Sequence, residues 1–89
     1  MSKFNFGRQF KKDLKKYSPD ILLSKEWVDI AHSLLNKEAL AEKYKDHQLT
    51  GNYQDCRECH IRPDLLLIYQ VAAEEIKLVR IGTHSELFG

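Results

Sequence analysis

Five side chains in the second half of the chain, His47, His60, Asp64, Arg80 and His84, have the types and spacing of a proton-transfer set. His47 precedes one expected strand, His60 and Asp64 fall where another should end, and His84 follows Arg80-Ile81-Gly82-Thr83, where a third should stop. Strand ends and loops on a rigid sheet are where functional side chains concentrate. Histidine takes or gives a proton near neutral pH. Such a set suits metal-free cleavage of RNA by its own 2′-hydroxyl: a base removes the hydroxyl proton, cations stabilise the phosphorane, and an acid protonates the departing 5′-oxygen. Singly, each residue has an ordinary explanation. His47 reads as a solvated loop residue, Asp64 as a turn former after Pro63, and Arg80 as a strand cation. Their clustering is what those explanations leave over. His32, beside the apolar stripe of a helix, reads as a packing residue.

A second chemistry competes for the same stretch. Cys56-Arg57-Glu58-Cys59-His60 spells the C-x-x-C-H string of c-type haem attachment. Its context speaks against haem: attachment belongs to exported chains, the N-terminus shows no export signal, and the one methionine, Met1, offers no internal axial ligand. Zinc held by Cys56, Cys59, His60 and His47 has acceptable ligand types. The cysteines, however, fall in an extended segment whose alternation puts them on opposite faces. Reduced thiols beside a sheet are the expected state, with neither cofactor nor metal.

The elements that must position these residues follow from periodicity. Phe4 and Phe6 alternate with Lys3 and Asn5 as in a short strand; Phe10, Leu14 and Tyr17 then repeat at helical spacing. Ser18-Pro19-Asp20 punctuates the chain and predicts a second helix capped by Ser18. Leu23, Trp27, Ile30, Ala31, Leu34 and Leu35 extend it to about Asn36. Lys37 to Asn52 reads as a loop or frayed turn, with Gly51 marking the entry to a strand. Arg62-Pro63-Asp64 is a turn, Leu65 to Val71 a strand buried on both faces, and Ala73-Glu74-Glu75 a hairpin turn. Beyond it Ile76, Leu78 and Arg80 should face one way and Lys77, Val79 and Ile81 the other, ending in a short turn at His84. The order β-α-α-β-β-β, two helices on one side of a mostly antiparallel sheet, is an α+β domain.

At 89 residues the chain is long enough for one domain with a modest core. A hydrophobic content of 43% and a charged content of 30% mark a folded rather than a disordered chain. No apolar stretch suggests a membrane span, so a cytoplasmic protein is expected. The net charge of +1 conceals an asymmetry, because residues 1–17 carry Lys3, Arg8, Lys11, Lys12, Lys15 and Lys16 against Asp13 alone. Arg8, Lys11, Lys12, Lys15 and Lys16 fall away from the apolar stripe and form one basic helix face. RNA phosphate selects such a face through counterion release, although a plain solvated face has the same look.

Three ordered segments carry a family resemblance: Asp46-His47-Gln48-Leu49-Thr50-Gly51, Arg57 through Tyr69, and Arg80 through Phe88. Together they resemble the RelE superfamily of bacterial toxins, YafQ branch. The resemblance implies an endoribonuclease that cuts mRNA on the 70S ribosome and forms the toxin half of a type II toxin–antitoxin pair. Its partner would be a small DNA-binding antitoxin, through which it would reach operator DNA. The implied catalytic set is His47, His60, Asp64, His84 and Phe88, with His84 as general acid, Phe88 against a nucleotide base and Arg80 supporting the phosphate. Many members carry Trp after the Pro-Asp pair; this chain has Leu65, which bears on codon preference. The alternative is a non-catalytic member that binds an antitoxin and represses its operon.

The purified protein is expected to show no Soret band, and replacing Cys56 and Cys59 together by Ser is expected to leave its activity intact. Loss of activity on chelation, restored by zinc, would reverse that expectation.

Overall fold

The apolar run Leu65–Val71 is the central strand, β4, of a five-stranded sheet in a computed structural model that describes residues 2–17 and 19–89. Every side chain from Leu65 to Tyr69 is buried, because the sheet is covered on both faces there. β4 pairs antiparallel with β3 (Arg57–Arg62) and with β5 (Glu75–Gly82). β1 (Lys3–Phe6) lies parallel to the far side of β5, and β2 (His47–Gln48) antiparallel to the far side of β3, giving the order β1-β5-β4-β3-β2. The expected α+β sheet is present. Its fifth strand, β2, is too short to leave a periodic signal.

Helices α1 (Arg8–Leu14) and α2 (Lys25–Leu35) cover one face. Phe10, Trp27, Ile30 and Leu34 pack there against Cys59, Leu67, Tyr69, Ile76, Leu78 and Ile81 of the sheet. The cap of α2 is Ser24, whose hydroxyl accepts the Trp27 N–H at 3.2 Å. The expected cap Ser18 lies outside the described residues, and Pro19–Leu23 forms a separate 3₁₀ turn. Leu23 consequently leaves the stripe and is 80% exposed. The chain passes from β1 to α1 at Gly7, whose amide donates to the Leu78 carbonyl at 2.9 Å. A Cβ at Gly7 would stand 2.7 Å from that oxygen, so the approach requires glycine.

Two expectations about β5 and its sequel are corrected. The ladder slips between Ile68 and Tyr69, which face Arg80 and Leu78, so Val79 is an extra residue on β5. Alternation therefore breaks: Ile81 joins Ile76 and Leu78 in the helix-side core, while Val79 packs on the opposite face. The C-terminal segment is a helix, α3 (His84–Phe88), rather than a turn. Its Leu87 lies on that opposite face with Cys56, Leu66 and Ile68, so the helices are not all on one side. Gly51 likewise opens a 3₁₀ turn, Gly51–Tyr53, at φ 69°, and the strand begins only at Arg57.

The edge of β5 beyond its pairing with β1 is closed by a side chain. Asp13 of α1, 1% exposed, accepts the Ile81 amide at 3.1 Å and the Arg80 guanidinium at 2.7 and 3.1 Å, with Gln9 as a further donor at 3.1 Å. Burial alone would raise the Asp13 pKa, but these donors outweigh it and hold the carboxyl below the usual range. Its contribution to stability is then complete above the ordinary carboxylate value of about 3.9 and is lost as pH falls from there through the lower folded value. Asp13→Asn is expected to destabilise the protein by about 3 kcal/mol at pH 7 in urea unfolding. The difference from wild type should shrink towards pH 2.

Candidate active site

The candidate residues gather on the sheet face opposite α1 and α2, because register fixes which side chains share a face. His47 faces Glu58, Glu58 faces Ile68, and Ile68 faces Arg80; on the neighbouring rung His60 faces Leu66 and Leu66 faces Gly82. Leu66 and Ile68 form the floor, with Leu87, Leu49 and Tyr53 packed on it. His60 is thus inside β3, not at a strand end as expected. The two sides of the floor, β3 and β5, lie two strand spacings or about 10 Å apart.

On the β3 side one buried carboxylate serves two imidazoles. Glu58, with a side chain 7% exposed, places Oε1 3.3 Å from His60 Nε2 and 3.8 Å from His47 Nε2. His47 Nδ1 lies 2.7 Å from the Lys45 carbonyl, an acceptor, so Nδ1 carries the proton and a neutral ring keeps its lone pair on Nε2. The segment holding His47 is itself anchored. The Asp46 carboxylate takes Arg57 Nη2 at 3.0 Å and Nε at 3.3 Å and also accepts the Tyr69 hydroxyl. Burial and that acceptor push the Tyr69 phenol well above its ordinary pKa. Upstream, Tyr44 donates to Asp29 of α2 at 2.7 Å, and burial together with this bond pushes its phenol up to about 12.

On the β5 side α3 presents His84 and Phe88, their rings 5.1 Å apart between centroids. Asp64, in the β3–β4 turn, accepts the His84 backbone amide at 3.3 Å and so ties the start of α3 to that turn. Thr83 caps the helix, its hydroxyl accepting the Glu86 amide at 3.2 Å, while Glu86 accepts the Thr83 amide at 2.8 Å. Glu86 also accepts the Tyr17 hydroxyl, and that bond leads the causes holding its carboxyl low. Burial, followed by Glu86, pushes Tyr17 up to about 12. Gly82 permits the close fit: a Cβ there would be 3.0 Å from Glu86 Oε1 and 3.2 Å from Leu87 Cδ2.

Of the expected set, His47 and His60 are joined through Glu58, and Asp64, His84 and Phe88 are joined through α3. Arg80 shares the face, but its guanidinium is turned to Asp13, which it binds through Nε and Nη2. The basic residues Arg8, Lys11, Lys12, Lys15 and Lys16 are all exposed along α1 and the turn after it, and Lys16 lies 3.8 Å from Glu86 of α3. His32 is exposed rather than packed, within 3.8 Å of Glu38. Two contributors went unread in the sequence. Glu58 was accessible to the alternation rule, since it stands two residues from His60 on the same face; Tyr53, edge-on to Phe88 at 5.9 Å, carried no such signal.

Cys59 is in the helix-side core and Cys56 in the opposite cluster, as the alternation implied, so the four zinc candidates do not converge. Burial raises both thiols above their ordinary pKa. Among the described residues no group of three or more His, Cys, Asp and Glu side chains is arranged to hold a metal ion, and no helix is long and apolar enough to cross a membrane.

This fold is that of a known class of toxin. Residues 2–89 match the family model described as "Bacterial toxin of type II toxin-antitoxin system, YafQ". The "mRNA interferase toxin YafQ" of Escherichia coli strain B is 33% identical over 87 residues, covering 94% of this chain and 92% of that protein. A toxin from Helicobacter pylori, solved in a copper-bound form, is 38% identical with a TM-score of 0.84 over 99% of this chain and all of that one. YafQ in the Escherichia coli DinJ–YafQ complex is 29% identical with a TM-score of 0.80, each chain wholly covered. The chain belongs to the YafQ family of toxins of bacterial type II toxin–antitoxin systems.

Because Glu86 joins the capping box to Tyr17, Glu86→Ala is expected to loosen α3 alone. Amide exchange at Leu87 and Gly89 should quicken several-fold, while β3, β4 and β5 stay protected. Equal acceleration throughout the sheet would contradict this.

Proposed function

We propose that the chain, as one domain over residues 1–89, is an mRNA interferase: a cytoplasmic endoribonuclease that cuts mRNA on the 70S ribosome and is held silent by a small DNA-binding antitoxin. The observation that carries the reading is the Glu58 carboxylate set between His47 and His60, on the same sheet face as His84 and Phe88. Family membership supports it, and the DinJ–YafQ complex of a relative supports the antitoxin partner.

The reaction follows from the proton inventory. His47, with Nδ1 held by the Lys45 carbonyl, takes the 2′-hydroxyl proton on Nε2, and the Glu58 carboxylate stabilises the imidazolium that forms. The 2′-oxygen bonds to phosphorus. His60, also against Glu58, faces the charge that develops on the phosphorane. The P–O5′ bond breaks, and His84 gives its proton to the departing oxygen. The products are a 2′,3′-cyclic phosphate and a 5′-hydroxyl. Asp64 acts by holding the His84 backbone, and Arg80, bound to Asp13, shapes the floor and lends residual positive charge. Phe88, 39% exposed, offers a ring against which a base stacks, a contact worth about 1–3 kcal/mol.

Positioning of the RNA falls to the ribosome. The exposed cations Arg8, Lys11, Lys12, Lys15 and Lys16 suit ribosomal RNA phosphates, since Asp13, the one acid in their segment, is turned inward.

His84→Ala is expected to keep fold and ribosome binding yet slow single-turnover cleavage by roughly 10²–10⁴-fold, whereas His32→Ala should leave the rate nearly unchanged. Mapping of mRNA 5′ ends should find 5′-hydroxyl termini on translated mRNA. Equal cutting of naked mRNA would end the ribosome requirement, and 5′-phosphate ends would end the mechanism.

A further inference from the structure

Beside the proton-transfer set lies a cavity of about 330 Å³ that no residue of the expected set, other than His60, helps to line. It exists because β2 pairs only as far as Arg57 and Glu58, leaving the outer edge of β3 from His60 to Arg62 without a ladder partner among the described residues. The ladder with β4 shifts between His60 and Arg62 at that same place. Arg62 is thereby brought to the helix side, where it meets Glu26 of α2 at 3.4 Å. The walls are Lys43, Tyr44 and Lys45 on one side and His60 and Arg62 on the other, with Glu26 at the rim. Three cations face one carboxylate.

The backbone at Lys45 is held in an unfavourable state. It adopts φ 51°, a left-handed conformation that costs a residue with a Cβ about 1–2 kcal/mol. The conformation persists because the Tyr44 hydroxyl is fastened to Asp29 and the next residue, Asp46, to Arg57 and Tyr69. It turns the Lys45 carbonyl onto His47 and sets the Lys45 side chain in the cavity wall. One strained residue thus serves both the proposed base and the cationic wall, the sort of local cost that persists at functional sites. The ion pair of Arg62 with Glu26 is half exposed on both sides and so is weak and exchangeable.

We propose that this cavity is a nucleotide subsite for the mRNA itself, taking the phosphate and ribose of the residue next to the scissile bond on the His60 side. The inference rests on the proposed RNA cleavage and deepens it. Sharing His60 with the proton-transfer set places any phosphate held there within about one nucleotide of the reacting phosphorus. Ribosomal RNA is the weaker occupant, because the basic face suited to it is on α1, which packs at β5, two strands away from the β3 edge that lines the cavity. Lys43, Lys45 and Arg62 bind the phosphate as cations, with Arg62 exchanging Glu26 for it.

A mutant cycle between protein charge and RNA charge tests this. Programmed 70S ribosomes would carry mRNAs with one uncharged methylphosphonate at each phosphate flanking the cut, cleaved in single turnover by wild type and by the triple variant Lys43→Gln, Lys45→Gln, Arg62→Gln. With unmodified mRNA the triple variant should be roughly tenfold or more slower at subsaturating protein. One flanking methylphosphonate should slow wild type by a similar factor and the variant by no more than about twofold, showing that both changes remove the same contact. Losses that multiply at every position, or a variant as fast as wild type, would overturn the subsite. Weakened binding to ribosomes without mRNA would overturn it in favour of ribosomal RNA. Glu26→Gln removes the competing carboxylate and should lower the half-saturating protein concentration a few-fold; if the triple variant does not fold, an unchanged value here overturns the inference. A wild-type chain that cuts no programmed mRNA would instead overturn the catalytic reading itself.

Discussion

The Asp13 carboxylate, buried at the edge of β5, is the constraint on which the rest of the molecule depends. β1 leaves β5 after Leu78, so the Ile81 amide would face the interior without a strand partner, and a buried unpaired amide costs about 1–3 kcal/mol. Asp13 supplies the acceptor from α1 and takes the Arg80 guanidinium with the same carboxylate. One side chain therefore seats α1 on the sheet, closes an open edge and fixes the direction of a cation on the opposite face. It also fixes the residues that lead into α3, since Gly82 and Thr83 follow at once. Tyr17, a few residues further along, reaches Glu86 and fastens α3 from above. The first helix is the brace of the last.

The sheet is accordingly two-faced in a way that serves chemistry. Its helix side is a continuous apolar core of aromatic and branched side chains, while the other side has a small cluster and a short helix. A thinly covered face lets imidazoles and a carboxylate stand on rigid strands yet remain open to a polymer. The two irregularities of the ladder occur where that face needs them. One, at Val79, lets Ile81 keep its place in the core while Arg80 turns outward; the other, after His60, opens the edge at which the cationic cavity forms.

How much of this was legible in the sequence varied with the kind of signal. The β4 run, the α2 stripe from Trp27 to Leu34 and the opposite-facing cysteines follow from period alone, and the structure agrees. Features set by tertiary contact did not show. A two-residue strand such as β2 has no period, and a bulge at Val79 inverts alternation midway through an otherwise regular strand. α3, one turn and a half long, is stabilised by Thr83, Glu86 and Tyr17 rather than by propensity. In the candidate site, His47, Asp64 and His84 were readable as residue types near strand ends, whereas His60 lies inside β3 and Phe88 is implied only by the family resemblance. Their grouping was not, because it passes through Glu58 on one side and a backbone amide on the other.

The position after Pro63-Asp64 shows how one residue redirects a surface without altering the fold. Where many relatives of this superfamily carry Trp, Leu65 is buried among the helix-side core residues, opposite Arg62 in the β3–β4 ladder. A branched side chain of that size completes the core and adds nothing to the open face. Aromatic surface on that face comes instead from Tyr53 and Phe88, which meet edge to face at 87°, the geometry in which ring quadrupoles attract. A base stacked on Phe88 would therefore meet a ring buttressed edge-on by Tyr53, on a face to which Leu65 contributes no surface.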